Sequence, residues 1–272
     1  MTVFSIPPSM VGGQPDMPPC SHGRVPYSSY IFAILILTHF TESAHPSKNS
    51  GCFTGESKVL TESGQTKNMS NVVLGDKIQS VDSSGNIVYS EVLMFMDREP
   101  SEHRKFITLT TEDGSVLTLT STHLVHTGAP DCNDISCFVP LYAGNVQKGQ
   151  KLMVSTNGLH PQVVVQVEVT SHTGVYAPLT TMGNLVVDGV LASCYAVIDS
   201  QSIAHAAFAP VRWWYNIKHN AQYLLRTFSF TNSAANAVPR TSTVVPPPNG
   251  IHWYPDFLYN LARYVLPSHL VW

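Results

Sequence analysis

Charge is scarce in this sequence: Asp, Glu, Lys and Arg make up 12% of the 272 residues, and the formal net charge is −3. No basic patch stands out, so the footprint of a nucleic-acid-binding protein is missing and no nucleic-acid partner is expected. Long helical periods are few. The apolar run Tyr30–Phe40 falls short of the ~20 residues needed to span a bilayer. Five cysteines (Cys20, Cys52, Cys132, Cys137 and Cys194) are an odd number, so they cannot all pair within the chain. No CxxC pair accompanies them, which argues against zinc; neither a metal nor a cofactor is expected.

What is present points to an all-β body. The 19 prolines and 17 glycines favour a turn-rich fold. Short runs that alternate apolar and polar residues predict strands over Ile87–Met96, Lys105–Thr110, Ser115–Thr120, Gln162–Val169, Asn184–Val190 and Cys194–Ile198. Glu112-Asp113-Gly114 predicts a hairpin between the second and third of these. A faint repeat is also legible. Val72-Val73-Leu74-Gly75-Asp76-Lys77-Ile78 resembles Val146-Gln147-Lys148-Gly149-Gln150-Lys151-Leu152, and each copy runs into a predicted strand and then a turn.

Ahead of this body, residues 1–29 are rich in Pro, Gly and Ser and read as disordered. Residues 30–40 suit the apolar core of a secretory signal, with Ser43-Ala44 as a small-residue cleavage site; the alternative is an unstructured extension. A signal would direct the chain into the secretory pathway, to the endoplasmic reticulum lumen or the extracellular space. Cys132 and Cys137 lie five apart in a polar loop and are either a local disulfide or two free thiols.

Chemistry concentrates at Gly51-Cys52-Phe53-Thr54-Gly55. A cysteine thiolate is the strongest side-chain nucleophile near neutral pH. Aimed at the carbonyl just before it, Cys52 converts its own amide into a thioester, and Gly51 leaves that carbonyl uncrowded. Thr120 and His123 sit three apart at a strand-to-turn bend, where a histidine can protonate a departing nitrogen and a hydroxyl can bond the same amide. Cys194 opens a strand that reads as buried.

After residue 203 the character changes. Aromatic residues interleave with Lys218 and Arg226, a pattern suited to a membrane interface. Trp253, Phe257, Leu261 and Val265 recur every four residues and predict an apolar stripe on a helix that ends by Pro267. Two helices packed on the β-body would explain the same pattern.

Six blocks then fall in order: Gly51–Gly55, Phe95-Met96-Asp97-Arg98, Leu119–Leu124, Ala177-Pro178-Leu179-Thr180, Ala192–Ile198 and Gly250–Tyr254. From Cys52 to the C-terminus the chain resembles the C-terminal autoprocessing half of hedgehog proteins. The resemblance implies a Hint (hedgehog/intein) fold, an all-β disc of two pseudo-symmetric β-subunits with a small helical C-terminal sterol-recognition extension. It divides the chain into an N-terminal extension (1–51), a Hint autoprocessing domain (52–203) and a sterol-recognition, membrane-associated region (204–272). It implies an intramolecular, monomeric reaction at Gly51–Cys52, in which an internal thioester passes the N-terminal peptide to cholesterol, a co-substrate rather than a cofactor. By the same resemblance Cys52 is the nucleophile, His123 the processing histidine, Thr120 its partner and Asp97 the carboxylate of the sterol step. Cys194 takes a supporting or redox role, including a transient disulfide with Cys52, and Trp253, Phe257, Leu261 and Val265 fall in the sterol region. Residues 1–51 do not resemble the family's signalling domain, so the expected leaving piece is a short peptide.

Two other readings compete. An intein-like element would use a terminal His-Asn before Cys, Ser or Thr, but His219-Asn220 is followed by Ala221. A non-catalytic sterol- or membrane-binding remnant would not need Cys52, Asp97, Thr120 and His123 intact.

Overall fold

β-Branched and aromatic residues dominate the segments that pair, as a pleated, half-buried surface requires. The computed structural model describes residues 51–156, 158–196, 201–229 and 247–265. The expected signal segment 30–40, Val197, Ile198 and Pro267 lie outside the described residues. Twelve strands are described: β1 (Lys58–Leu60), β2 (Thr66–Asn68), β3 (Lys77–Val81), β4 (Ile87–Thr111), β5 (Val116–Leu119), β6 (His123–Gly128), β7 (Val139–Tyr142), β8 (Lys151–Val154), β9 (His160–Thr180), β10 (Asn184–Val187), β11 (Val190–Ala196) and β12 (Gly250–Ile251). Three helices follow the body: α1 (Gln201–Ala207), α2 (Ala209–Ser229) and α3 (Trp253–Val265). β1 and β2 form a small sheet; the larger one runs β10-β11-β6-β8-β9-β4-β12, with β3 and β5 also on β4 and β7 on β6. The body is all-β, as the alternation predicts.

The faint sequence repeat is a structural one. Gly75 N–H donates to Val92 O at 2.9 Å, and Gly149 N–H donates to Val164 O at 2.9 Å. Val92 N–H returns to Asp76 O at 2.9 Å, and Val164 N–H returns to Gln150 O at 2.8 Å. Even the side chains match: Asp76 Oδ2 accepts from Val73 N–H, and Gln150 Oε1 accepts from Gln147 N–H. Each copy follows a short 3-10 turn, Met69–Asn71 or Ala143–Asn145, and leads into a short strand, β3 or β8, that pairs antiparallel with β4 or β9 of the long ribbon.

Three expectations need correction. Cys194 does not open its strand but lies inside β11, which begins at Val190. Ile87–Met96 and Lys105–Thr110 are not separate strands but parts of β4, because the charged stretch between them stays paired with β9. That pairing survives by bulging: Glu99 faces Val175 while His103 faces Thr173, so extra residues on β4 loop out. The predicted strand Asn184–Val190 is broken at Asp188-Gly189, whose φ values of 51° and 81° make a tight hairpin turn. Asp188 tolerates this left-handed conformation while bonded to Lys58 through both its backbone N–H, at 2.8 Å, and its carboxylate, at 2.9 Å.

A smaller irregularity places the site. Pro178 on β9 has no N–H to give the ladder. Opposite it, β4 shifts register between Phe95 and Asp97, which sets Asp97 against Ala177. The segment Cys52-Phe53 is threaded between neighbouring elements: Phe53 bridges both Tyr176 and Leu119. Phe53, Leu119, Leu124 and Leu179 are fully buried around it.

The helices attach to β11 and β4. Tyr195 packs on Phe208 at 5.7 Å, and Phe208 meets Tyr254 edge-on at 5.6 Å. Arg212 donates to the Tyr195 hydroxyl at 3.0 Å. β12 pairs with β4 so that Ile251 lies opposite Asp97. Trp253, Phe257 and Leu261 form the expected stripe on α3, but it faces outward, with Trp253 70% exposed. The core is met instead by Tyr254, Leu258 and Ala262. The side chain of Val265 lies outside the described residues. No helix among the described residues is long and apolar enough to cross a membrane.

Candidate active site

Four of the residues singled out by sequence surround one peptide bond. The Cys52 N–H donates to Thr120 Oγ1 at 2.9 Å, and the Thr120 N–H donates back to Cys52 O at 2.9 Å. Thr120 therefore holds Cys52 on both flanks: at its N–H, in the Gly51–Cys52 amide, and at its carbonyl, in the next peptide unit. Its place follows from β5: the strand ends at Leu119, and the turn to His123 is closed by a bond from His123 N–H to Thr120 O at 3.0 Å.

His123 opens β6 and is fully buried, its ring 4.3 Å from that of Phe53. Nε2 donates to Ser193 O at 2.8 Å. That bond fixes the tautomer and leaves Nδ1 as a buried lone pair without a hydrogen-bond partner. Nδ1 looks toward Gly51, where a Cβ would stand 3.1 Å from it. Burial pushes the His123 pKa down to about 4; the Ser193 carbonyl, bonded at Nε2, and the Gly51 backbone, which would accept from Nδ1 only in the protonated ring, partly oppose this. Near neutral pH the ring is uncharged and its open nitrogen faces Gly51.

Gly51 is required more strictly than an uncrowded carbonyl suggests. A Cβ there would come within 2.0 Å of the Ala196 Cβ and 3.1 Å of the His123 backbone. Gly51→Ala should displace the amide from Thr120 and His123. Misplacement by about 1 Å can lower a positioned reaction by about 10²-fold. Timed electrophoresis of the purified variant would read the loss, and wild-type cleavage by Gly51→Ala would show that this contact does not matter.

The thiol side of the site is charged. Cys52 is fully buried, and its Sγ–H donates to Asp97 Oδ2 at 3.7 Å. Asp97 is also buried, with Arg104 Nη2 at 3.8 Å from the same oxygen. Cys194 is a buried free thiol, 3.4 Å from Thr180 Oγ1, with burial pushing its pKa up to about 11. Cys52 and Cys194 are thiols, while Cys132 and Cys137 form a disulfide. His219 and Asn220 lie inside the continuous helix α2.

Sequence reasoning missed three contributors. Ser193 acts through its backbone carbonyl, which any residue type supplies. Ala196 acts by being small against Gly51. Arg104 is hidden in a run of charged residues that reads as surface.

The family model for the Hint module matches residues 40–267. The hedgehog protein of Drosophila virilis is 41% identical over 222 residues, covering 80% of this chain and 44% of the relative. That of Drosophila melanogaster is 39% identical over 234 residues, covering 84% and 47%. The chain thus spans about half the length of the curated relatives it matches. Among solved structures, the gp41-1 intein covers 53% of this chain and 98% of its own, at 20% identity and a TM-score of 0.40. A DnaB intein from Synechocystis sp. PCC 6803 covers 55% and 100%, at 14% identity and a TM-score of 0.44. On the match to residues 40–267, the chain belongs to the Hint module family.

Proposed function

We propose that the chain cuts itself between Gly51 and Cys52 through an internal thioester, then hands the N-terminal acyl segment to cholesterol, as the hedgehog likeness suggests. One observation carries the reading: a buried glycine–cysteine amide is gripped at its nitrogen by Thr120, with an open histidine nitrogen on its acyl side and a carboxylate on its thiol.

In the first step Cys52 Sγ attacks the Gly51 carbonyl carbon, the C–N bond breaks, and the thiol proton ends on the Cys52 nitrogen. Asp97 receives that proton from sulfur and releases it, neutral His123 takes a proton up at Nδ1 and delivers it to the nitrogen as the C–N bond breaks, and Thr120 keeps the amide aligned, so Asp97 ends the step as a carboxylate. In the second step the sterol hydroxyl attacks the thioester carbon. Asp97 accepts its proton, the carbon–sulfur bond breaks, and Cys52 recovers its thiol. Cys194, protonated and bonded to Thr180, supports the strand that presents Ser193.

The division follows from these roles. Residues 1–51 are the acyl segment, 52–203 the autoprocessing unit and 204–272 the sterol- and membrane-associated part. Trp253, Phe257 and Leu261 on α3, with Trp213, Trp214 and Ile217 on α2, leave a wide apolar surface exposed. β12, just before α3, lies against Asp97 and gives this region a path to the thioester. The Cys132–Cys137 disulfide favours an oxidising compartment, the secretory pathway or the cell exterior. A role in cell–cell signalling belongs to the same proposal.

Incubating the purified full chain with dithiothreitol, or with cholesterol in detergent plus reductant, and weighing the products tests the reading. Scission after Gly51 is expected in both, giving a fragment that begins at Cys52 and an N-terminal piece that carries the thiol or the sterol. A folded chain that stays whole under both conditions overturns it.

A further inference from the structure

β4 brings a second charged group to the nucleophile. In a straight strand Asp97 and Arg104 would stand roughly 23 Å apart, at ~3.3 Å per residue. The bulge between Glu99 and His103 draws them together, and Arg104 Nη2 sits 3.8 Å from Asp97 Oδ2. That oxygen is the one accepting from Cys52 Sγ, so sulfur, carboxylate and guanidinium form a row. Glu102 holds the guanidinium by two prongs, at 2.6 Å to Nε and 3.1 Å to Nη2. The Arg104 side chain is only 10% exposed.

Such a row answers a difficulty in the proposed chemistry. A thiolate forming 3.7 Å from a buried carboxylate is disfavoured by like charge. Transfer of the proton from Cys52 Sγ to Asp97 keeps the total charge constant and moves the negative charge from oxygen to sulfur. A fixed cation beside both atoms serves each state. We propose, building on the function above, that Arg104 is a positioning residue for self-cleavage. Its guanidinium, clamped by Glu102, holds positive charge against Asp97 and Cys52 and so favours the thiolate. Burial alone would weaken the charge on Arg104, but the Glu102 hydrogen bonds and the neighbouring Cys52 and Asp97 reverse this and raise its pKa. His123, on β6, is uncharged near neutral pH, and His172, on β9 opposite Arg104, packs its ring against Phe106 at 5.7 Å.

The test titrates Cys52 directly in the full chain. Cysteine labelled with 13C at Cβ is followed by NMR in a His123→Ala background that keeps the protein whole, with Cys20→Ser to leave Cys52 and Cys194 as the thiols. Arg104→Met should raise the Cys52 midpoint by about one pH unit or more, the usual effect of removing a close opposite charge. Arg104→Lys should restore part of it, and Cys194 should not move. With His123 restored, the pH profile of dithiothreitol-induced cleavage should shift to the alkaline side by a similar amount. An unmoved Cys52 midpoint in Arg104→Met overturns the inference. If that variant does not fold, Arg104→Gln replaces it, and the same unmoved midpoint overturns it. Because the titration reads uncleaved protein, an inert wild-type chain would sink the proposed function without deciding this point.

Discussion

Asp97→Ala is expected to abolish sterol transfer while sparing thiol-induced scission after Gly51. The two nucleophiles differ in what they ask of the site. Dithiothreitol brings its own thiolate, so it needs only a thioester to attack. A sterol hydroxyl holds its proton far more tightly and needs a base at the moment of attack, an effect typically worth about 10²–10⁴-fold. Asp97 is the carboxylate at hand, buried against Cys52 Sγ and paired through β12 with the helical region. Its loss also removes the thiol's hydrogen bond. It removes the acceptor of the thiol proton as well, so thioester formation should slow too, and the expected result is a ratio: thiol product still forms where sterol product does not. Mass spectrometry of parallel thiol and cholesterol reactions gives the ratio directly. Cys52→Ala should lose both products, which shows that the thiol cleavage passes through the thioester. Equal loss of both reactions in Asp97→Ala, or sterol turnover by it, would remove Asp97 from the second step.

The sequence showed the strands, the hairpin at Gly114 and the repeat, because these rest on alternation and turn chemistry that neighbouring residues reveal. It also pointed to Cys52, Thr120, His123 and Asp97, but through different kinds of signal. Thr120 and His123 were legible as a bend at a strand end. Asp97 entered only through the resemblance; its burial goes with a register shift opposite Pro178, which sits on another strand. Arg104 was invisible for the same reason. A bulge of extra residues erases the period-2 pattern, so no local window tells which way its side chain points. The tautomer of His123 depends on the carbonyl of Ser193, and a backbone atom leaves no trace in residue type. The stripe on α3 was read correctly as a helix face, but periodicity cannot tell an inward stripe from an outward one. What decided it was a competing set, Tyr254, Leu258 and Ala262, that packs on the body instead.

Folding stability is expected to fall sharply between pH 6.5 and pH 4, before most carboxylates titrate. His123 has a pKa of about 4 in the folded chain against 6.5 when free. Across that window the unfolded chain binds a proton there that the folded chain refuses, so stability rises with pH and is lost on acidification. The shift corresponds to about 3 kcal/mol, a large part of the roughly 5–15 kcal/mol that holds a typical domain together. His126 adds to the loss in the same direction: its Nδ1 is buried without a partner beside Gln201, and burial brings its pKa to about 4 as well. The lowered pKa values of Asp82, Asp113 and Asp134 contribute stability that disappears only as pH falls through and below 3.8, so their effect lies beneath the histidine window. Urea midpoints of the uncleavable Cys52→Ala chain at several pH values from 7 to 4 would follow the loss. His123→Gln in that background should remove about half of the slope and His126→Gln a similar share, while Asp82→Asn leaves it unchanged. A slope undiminished in His123→Gln would mean that this ring does not take up its proton between pH 6.5 and 4, and the neutral state assigned to His123 would lose its support.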